Sequence, residues 1–274
     1  MDYIYNMQRE MLRRGYSPRT INTYIVCIKD FMSFCKKELK KATKADIRQY
    51  LDWQVDKGAA GNTINIKLNA LKFLMEEILN KKVTIKIRYS KTPKTLPVFL
   101  TKEEVKRLFE AVKNEKHKII LELLYSAGLR LGEVVNLQKK DFEFDRMIGW
   151  VRKGKGMKDR PFIIARNLES KLKDYIQKNC NSFNSYLFLG FGGRKLSPRS
   201  VQEIVKKATK KAGINKNIHP HSLRHSYATH LIENGYDINV IQPLLGHNSA
   251  ETTMRYVHMA DPKMINVRSP YDNL

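Results

Sequence analysis

The chain has 274 residues and a formal net charge of +24, from 51 Lys and Arg against 27 Asp and Glu. Such an excess destabilises a compact state by self-repulsion, so it predicts a polyanionic partner: nucleic acid first, an anionic membrane surface second. A merely Lys-rich proteome is the alternative. No run approaches the ~18 apolar residues of a membrane span, so we expect no membrane-spanning helix.

The cellular setting is predicted to be intracellular and cytoplasmic. The first residues, MDYIYNMQREM, lack the basic stretch and the apolar stretch of a signal peptide. The three cysteines are odd in number and lack metal-site spacing, so we expect reduced, buried thiols at Cys27, Cys35 and Cys180.

The first 88 residues are predicted to form a helical domain. Ser17 and Pro18 have the signature of an N-cap and first helical residue, Thr43 caps a later helix, and Gly61 or Asn62 opens another. Residues 1–95 hold 20 basic and 9 acidic residues, and the remaining 179 hold 31 and 18. Because both halves are basic, we expect a ligand that is contacted from two sides.

Residues 89–97, YSKTPKTLP, are predicted to be a linker because they lack apolar periodicity. Thr101 and Glu104 then form a capping box at the start of a helix. A second helix is expected to end at Gly128, in the left-handed conformation that suits glycine. Arg130 follows at once, at the start of LRLGEVVNL.

The runs MIGWVR and RPFIIA are the clearest β signal. They flank KGKGMKD, whose glycines favour a turn, so a hairpin with Lys155 near its tip is predicted.

Further helices are predicted at about 167–179, 198–211, 220–234, 237–245 and 249–258. The fold class is therefore mainly α with a small β-hairpin (α+β). It comprises a helical domain (1–88), a linker (89–97) and a mixed, mostly helical domain with a polar tail (98–274).

His221 and Arg224 lie three residues apart on the helix that Pro220 begins, and so on one face. A guanidinium suits bidentate contact with phosphate, and an imidazole transfers protons near neutral pH. The alternative is a structural salt bridge beside a surface histidine.

His225 lies four residues from His221, but HSLRH lacks the glutamate of HExxH and a third ligand. We therefore expect no metal and no cofactor, and scaffold or solvated roles for His117, His219, His225 and His230.

His247 follows a predicted helix end, where side chains converge on ligands. Tyr256 by itself is an ordinary tyrosine of an amphipathic helix, as are Tyr227 and Tyr236. Four motifs in this order, however, are specific as a set: SAGLRLGEVVNL, KGKGMKDR, HPHSLRHSYATHL and LLGHNSAETTMRYVH. Together they resemble the tyrosine recombinase (phage integrase) family, and within it the Xer-type site-specific recombinases. The resemblance spans essentially the whole chain and is strongest over residues 120–260.

The resemblance implies DNA cleavage and rejoining through a 3′-phosphotyrosyl intermediate. Arg130 matches the first catalytic arginine, Arg224 the second, and His247 the position that is histidine or tryptophan in relatives. These three would stabilise the phosphate. Glu133, one turn from Arg130, either orients that guanidinium or makes only an i,i+3 salt bridge.

The remaining roles also come from the resemblance. Tyr256 matches the nucleophile, His221 the general base and Lys155 the general acid. Lys153 and Lys158 are close enough to compete for the last assignment. No metal is required, because the arginines supply the positive charge.

The resemblance also implies double-stranded DNA as partner and a homo-tetramer on two DNA sites. The cellular role would be chromosome-dimer resolution, which serves chromosome partition and cell division, or integration of a mobile element. A type IB topoisomerase, with similar residues, is one alternative. A non-catalytic DNA-binding regulator is the other, although such a protein needs neither Tyr256 nor Lys155.

Overall fold

The computed structural model describes the chain in five stretches, residues 2–82, 87–91, 97–152, 159–182 and 185–246. It divides into two compact units, Met1–Thr95 and Leu96–Leu274. Each unit has its own apolar core.

The N-terminal unit is helical throughout its described elements. Ser17 accepts a hydrogen bond from the backbone of Thr20, and Thr43 forms a capping box with Asp46, so both predicted helix starts are confirmed. The fourth helix begins at Gly61, one of the two predicted positions, and continues into a π-helical segment. The elements are α1 Tyr3–Arg13, α2 Pro18–Cys35, a 3₁₀ turn Leu39–Lys41, α3 Lys44–Asp56, α4 Gly61–Lys72 and the π segment Phe73–Ile78.

A polar cluster links the N-terminal helices beside their core. The hydroxyl of the buried Tyr50 donates to Asp30 at 2.6 Å, and the ammonium of Lys67 also pairs with that carboxylate. Since α2, α3 and α4 each contribute one of these side chains, the cluster sets the relative rotation of three helices.

The chain after the π segment returns to α4. The Asn65 side chain makes two hydrogen bonds with the backbone of Ser90, at 2.8 and 3.0 Å, and the Tyr89 hydroxyl donates to Asn69 at 2.7 Å. The start of the predicted linker is thus fastened to the N-terminal unit as far as Ser90, and residues 92–96 lie outside the described residues.

The C-terminal unit surrounds α6, which is apolar on more than one face. Five of its residues are buried, and it packs against helices before and after it in the chain. Gly128, beyond its end, has φ +57°, as the sequence predicts. The helices are α5 Lys102–Glu110, α6 Glu115–Ser126, α7 Leu131–Val134, α8 Arg166–Asn179, α9 Pro198–Lys211, α10 Pro220–Glu233 and α11 Ile238–Leu245.

A three-stranded antiparallel sheet, of order β1-β2-β3, covers one side of this core. The predicted hairpin is confirmed as β2 Ile148–Val151 and β3 Arg160–Ile163, with Val151 opposite Arg160. Its tip, including Lys155, lies outside the described residues. The sequence did not predict β1, Phe142–Glu143, because two residues show no periodicity.

The predicted fold class, mainly α with a small β element, is confirmed. The capping box of Thr101 and Glu104 begins α5 as expected, and Ser197 with Pro198 begins α9. The predicted helix at 249–258 and the tail lie outside the described residues. Of the helices described, none combines the length and apolarity needed to cross a membrane.

Gly149→Ala is expected to destabilise the C-terminal unit. A Cβ at Gly149 would lie 2.1 Å from the Phe162 ring on the neighbouring strand. Relieving that overlap requires displacement of a buried aromatic, at a cost of about 1–3 kcal/mol. Urea unfolding measures the difference from wild type. Gly132→Ala is the control, because no atom lies within 4 Å of its added Cβ; equal effects of the two changes would contradict the prediction.

Candidate active site

Three arginines from different elements converge on the last carbonyls of α11. The last four carbonyls of a helix have no partner within the helix, and its C-terminus carries partial negative charge. Here Arg160 donates to Leu244 O, Arg224 donates to Leu245 O, and Arg130 Nη2 donates to Gly246 O at 2.9 Å. Each guanidinium therefore supplies both a missing donor and a complementary charge.

Arg130 is held by its own helix start. It is the N-cap of α7, and the side chain of Glu133, in the first turn of that helix, accepts hydrogen bonds from it. The carboxylate accepts from Arg130 Nη1 at 2.7 Å and from its backbone N–H at 2.8 Å. The Arg130 side chain is 22% exposed, and three of its five N–H donors have no partner among the described residues. A ligand therefore has access to a guanidinium whose direction is already set.

Glu133 both makes the i,i+3 salt bridge and orients the guanidinium, the two readings that the sequence left open. Its side chain is 7% exposed, and Arg160 Nη2 also donates to it at 2.6 Å. Burial works to raise the pKa of Glu133, but Arg160 and Arg130 outweigh burial and hold that pKa below its usual value. The carboxylate is thus ionised while buried.

Arg224 lies in the first turns of α10 and is buried, with 3% of its surface exposed. Its Nη1 donates to Gly128 O at 2.6 Å, so the end of α6 is joined to the end of α11 through one side chain. A residue other than glycine at 128 would meet the Tyr227 ring 2.4 Å from its Cβ. Glycine at 128 therefore permits both the left-handed turn after α6 and the close packing against Tyr227.

His221 lies one turn before Arg224 at an exposed position of α10. Partial burial of its ring, followed by the positive charges of Arg224, His219 and Arg130, lowers the pKa of His221. The imidazole is then neutral near neutral pH, the form that accepts a proton. The charges of both arginines thus act on His221, which places the three predicted residues in one electrostatic environment.

The neighbouring histidines support the helix. His219 is the N-cap of α10, and its Nδ1 accepts from Ser222 N at 3.3 Å. The His230 Nδ1 is 2.9 Å from the Tyr125 hydroxyl inside the core. No group of three or more His, Cys, Asp or Glu side chains suited to a metal occurs in the described part of the chain.

Of the six residues predicted to be catalytic, the structure therefore brings together Arg130, His221 and Arg224. Lys155, His247 and Tyr256 lie outside the described residues. Arg160 was missed by the sequence analysis. It stands at the end of the KGKGMKDR motif, but its partners Glu133 and Leu244 are distant in sequence, so no local pattern indicates them.

The stability of the protein is expected to fall between pH 6.5 and 4, partly through His225. Burial lowers the pKa of this histidine to about 4, whereas an unfolded histidine titrates near 6.5. In that interval the unfolded state binds more protons, so acid favours unfolding, by about 1.4 kcal/mol per pH unit at most. Urea unfolding from pH 7 to 4.5 should show a shallower pH slope for His225→Asn than for wild type. Parallel slopes would contradict this assignment.

Models of two protein families match the chain. The phage integrase family matches residues 98–263, and the N-terminal SAM-like domain of phage integrases matches residues 4–85. Tyrosine recombinase XerA of Pyrococcus furiosus is 39% identical over 251 residues, 89% of this chain and 85% of that protein. Tyrosine recombinase XerD of Oceanobacillus iheyensis is 32% identical over 281 residues, 95% and 94% of the two chains.

The fold is also found in solved structures. The XerH site-specific recombinase bound to a palindromic difH substrate, in a post-cleavage complex, aligns with a TM-score of 0.76. The alignment covers 94% of this chain and 82% of that chain at 24% identity, which is a likeness of fold. From the family models and the identities over most of the chain, the protein belongs to the phage integrase family and is a Xer-type tyrosine recombinase, an enzyme of site-specific DNA recombination.

Proposed function

We propose that this chain cleaves and rejoins double-stranded DNA through a 3′-phosphotyrosyl bond to Tyr256, with Arg130 and Arg224 binding the scissile phosphate. One observation carries the proposal. Guanidiniums from α10 and from the start of α7 are fixed on the adjacent carbonyls of Leu245 and Gly246, directly before His247 in the sequence. Arg130 and Arg224, which are distant in the sequence, thereby lie at one helix end.

A phosphodiester resists attack because its non-bridging oxygens are negatively charged, and it gains further charge in the pentacovalent transition state. Fixed guanidiniums stabilise that charge without reorganising during the reaction. Arg130 suits this role because its direction is set by Glu133, while three of its side-chain donors have no partner in the part of the chain that the structure describes. Removal of one such donor typically costs about 3–4 kcal/mol of transition-state stabilisation.

The proton transfers are assigned to His221 and Lys155. Tyrosine titrates near ~10, so its attack needs a base, and the lowered pKa of His221 leaves that imidazole neutral and able to accept the proton. Lys155 would protonate the leaving 5′ oxygen, and His247 would donate a hydrogen bond to the phosphate. The phosphotyrosyl ester conserves the energy of the broken phosphodiester bond for rejoining, so no hydrolysis is needed.

The wider assembly follows from the charge and the family. Both halves of the chain are basic, which supports DNA binding by each unit and an affinity that falls steeply with salt. Recombination joins two duplexes and needs four cleavage sites, so a tetramer on DNA in the cytoplasm is proposed. Chromosome-dimer resolution and mobile-element integration are both consistent with this chemistry.

Wild-type protein is expected to form a denaturant-resistant adduct with DNA, and Tyr256→Phe is expected to form none. The probe is a nicked duplex library with a randomised 30-base-pair segment, because the nick lets the cleaved strand diffuse away and traps the covalent complex. Adducts that survive detergent are recovered and sequenced, and the enriched sequence becomes the substrate for later assays. Recombinant products from two copies of that sequence distinguish recombination from topoisomerase-like relaxation.

Tyr236→Phe is the matched control, since this tyrosine of the same unit is 54% exposed and has no proposed role. It should form the adduct at the wild-type rate. An adduct that persists in Tyr256→Phe would move the nucleophile to another residue. Filter binding of the same duplex should show that Tyr256→Phe retains its affinity, because the phenolic hydroxyl is not needed to neutralise phosphates.

Cleavage is expected to continue in EDTA. In the proposed mechanism the two arginines supply the positive charge that a metal provides in other phosphoryl-transfer enzymes. The rate of adduct formation on the enriched duplex, measured with and without the chelator at constant ionic strength, should agree within about 2-fold. Loss of cleavage that returns on adding Mg²⁺ would contradict the metal-free mechanism.

A further inference from the structure

Arg160, the first residue of β3, is a buried arginine that the reaction described above does not use. Its side chain is 9% exposed. Nη2 donates to Glu133 Oε2 at 2.6 Å, while Nη1 donates to Leu244 O. Its Nε–H has no hydrogen-bond partner among the described residues. One planar group therefore spans the gap between a carboxylate on α7 and the last turn of α11.

Glu133 connects this arginine to Arg130. The carboxylate oxygen that receives Arg160, Oε2, also accepts the backbone N–H of Arg130 at 2.8 Å, and the other oxygen accepts Arg130 Nη1. Since both oxygens are engaged, rotation of the carboxylate would break contacts with both arginines. The position of the Arg130 guanidinium thus depends on Arg160 through their shared partner, Glu133.

The helix end closes the network. Arg160 binds the carbonyl of Leu244 and Arg130 binds that of Gly246, so the path from Arg130 through Glu133, Arg160 and α11 returns to Arg130. Gly246 admits this approach because it lacks a side chain. A Cβ there would lie 2.6 Å from Arg160 Cδ and 2.9 Å from its Nε. A closed ring of contacts restricts each member more than an isolated salt bridge does.

We propose that Arg160 is a positioning residue for strand cleavage, which fixes Glu133 and the last turn of α11 so that the Arg130 guanidinium is aimed at the scissile phosphate. This inference rests on the proposed phosphate-binding role of Arg130. It assigns Arg160 a role within the protein, through its contacts with Glu133 and Leu244 O.

A purely structural role is the competing explanation. Removing one member of a buried ion pair destabilises a protein whatever its function, so a lower melting temperature would not discriminate. A positioning role predicts that DNA affinity is kept while the cleavage rate falls, at temperatures where the variant is fully folded. The phosphate contacts of a basic protein supply most of the affinity, and the aim of one guanidinium affects mainly the transition state.

The test compares Arg160→Met and Arg160→Lys with wild type on the nicked duplex recovered as a covalent adduct. We expect Arg160→Met to reduce the single-turnover cleavage rate about 10- to 100-fold, with Kd for the duplex within about 3-fold. Arg160→Lys keeps the charge beside Glu133 but lacks the planar fork, so it should recover the melting temperature and only part of the rate. A wild-type rate in Arg160→Met, or a Kd raised in proportion to the rate loss, would overturn the proposal.

Arg146→Met is the charge-matched control. This arginine belongs to the same unit, pairs with Glu143 at 3.1 Å, and has a side chain that is 66% exposed. Its removal changes the net charge by the same amount without touching the ring of contacts. A rate loss equal to that of Arg160→Met would assign the effect to overall charge and overturn the positioning role.

Two glycine variants test the geometry with every arginine kept. Gly246 and Gly235 both have positive φ, +59° and +84°, so an alanine at either position carries backbone strain. Only Gly246→Ala would also push against Arg160, since no atom lies within 4 Å of a Cβ at Gly235. We expect Gly246→Ala to cleave at least about 10-fold more slowly than Gly235→Ala; equal rates would overturn the proposal.

A readout without DNA separates this inference from the proposed function. In ¹⁵N spectra of arginine side chains, the Arg130 guanidinium should show the slow rotation of a group held by Glu133 and Gly246 O, with Arg130→Lys identifying its signal. Arg160→Met should shift and average that signal, whereas Arg146→Met should not. An unchanged Arg130 signal in Arg160→Met would overturn the coupling even if the protein cleaves DNA. A changed signal in a protein that forms no adduct would instead count against the proposed function alone.

Discussion

The C-terminal unit depends on one constraint, the need of the last α11 carbonyls for hydrogen-bond donors. Three guanidiniums meet that need, from α10, from the start of α7 and from the start of β3. A guanidinium suits a helix C-terminus in both geometry and charge, because its several donors reach separate acceptors while its charge opposes the helix dipole. The same contacts that complete the helix therefore assemble the candidate phosphate site.

The positive charge of the three arginines is only partly compensated, by one buried carboxylate among the described residues, which pairs with two of them. Glu133 is ionised because Arg160 and Arg130 outweigh the effect of burial on its pKa. The positive potential reaches His221, whose pKa is lowered by burial and then by Arg224, His219 and Arg130. The positive charge proposed to bind a phosphate thus also favours the neutral form of a neighbouring imidazole. The proposed phosphate binding and the proposed proton acceptance would both be consequences of one distribution of charge.

The two units differ in what they contribute. The described part of the N-terminal unit has a helical core joined by the cluster around Asp30, and none of the six predicted catalytic residues lies within its range. The motifs for chemistry lie in the C-terminal unit, where the phage integrase model matches residues 98–263. The high positive charge is common to both, which is why composition indicates a polyanionic partner for the whole chain and no site within it.

The sequence by itself determined the fold class, the helix starts with strong caps, the hairpin, and the six residues that resemble a tyrosine recombinase site. Those features are local: a cap such as Thr101 acts within three residues, and a motif is a run of neighbours. Only the tertiary structure decided that Arg130 and Arg224 meet at the end of α11 and that Glu133 serves two arginines. It alone revealed Arg160, whose partners Glu133 and Leu244 lie 27 and 84 residues away. Contacts at such separations depend on how elements pack, and no periodicity or spacing along the chain records that packing.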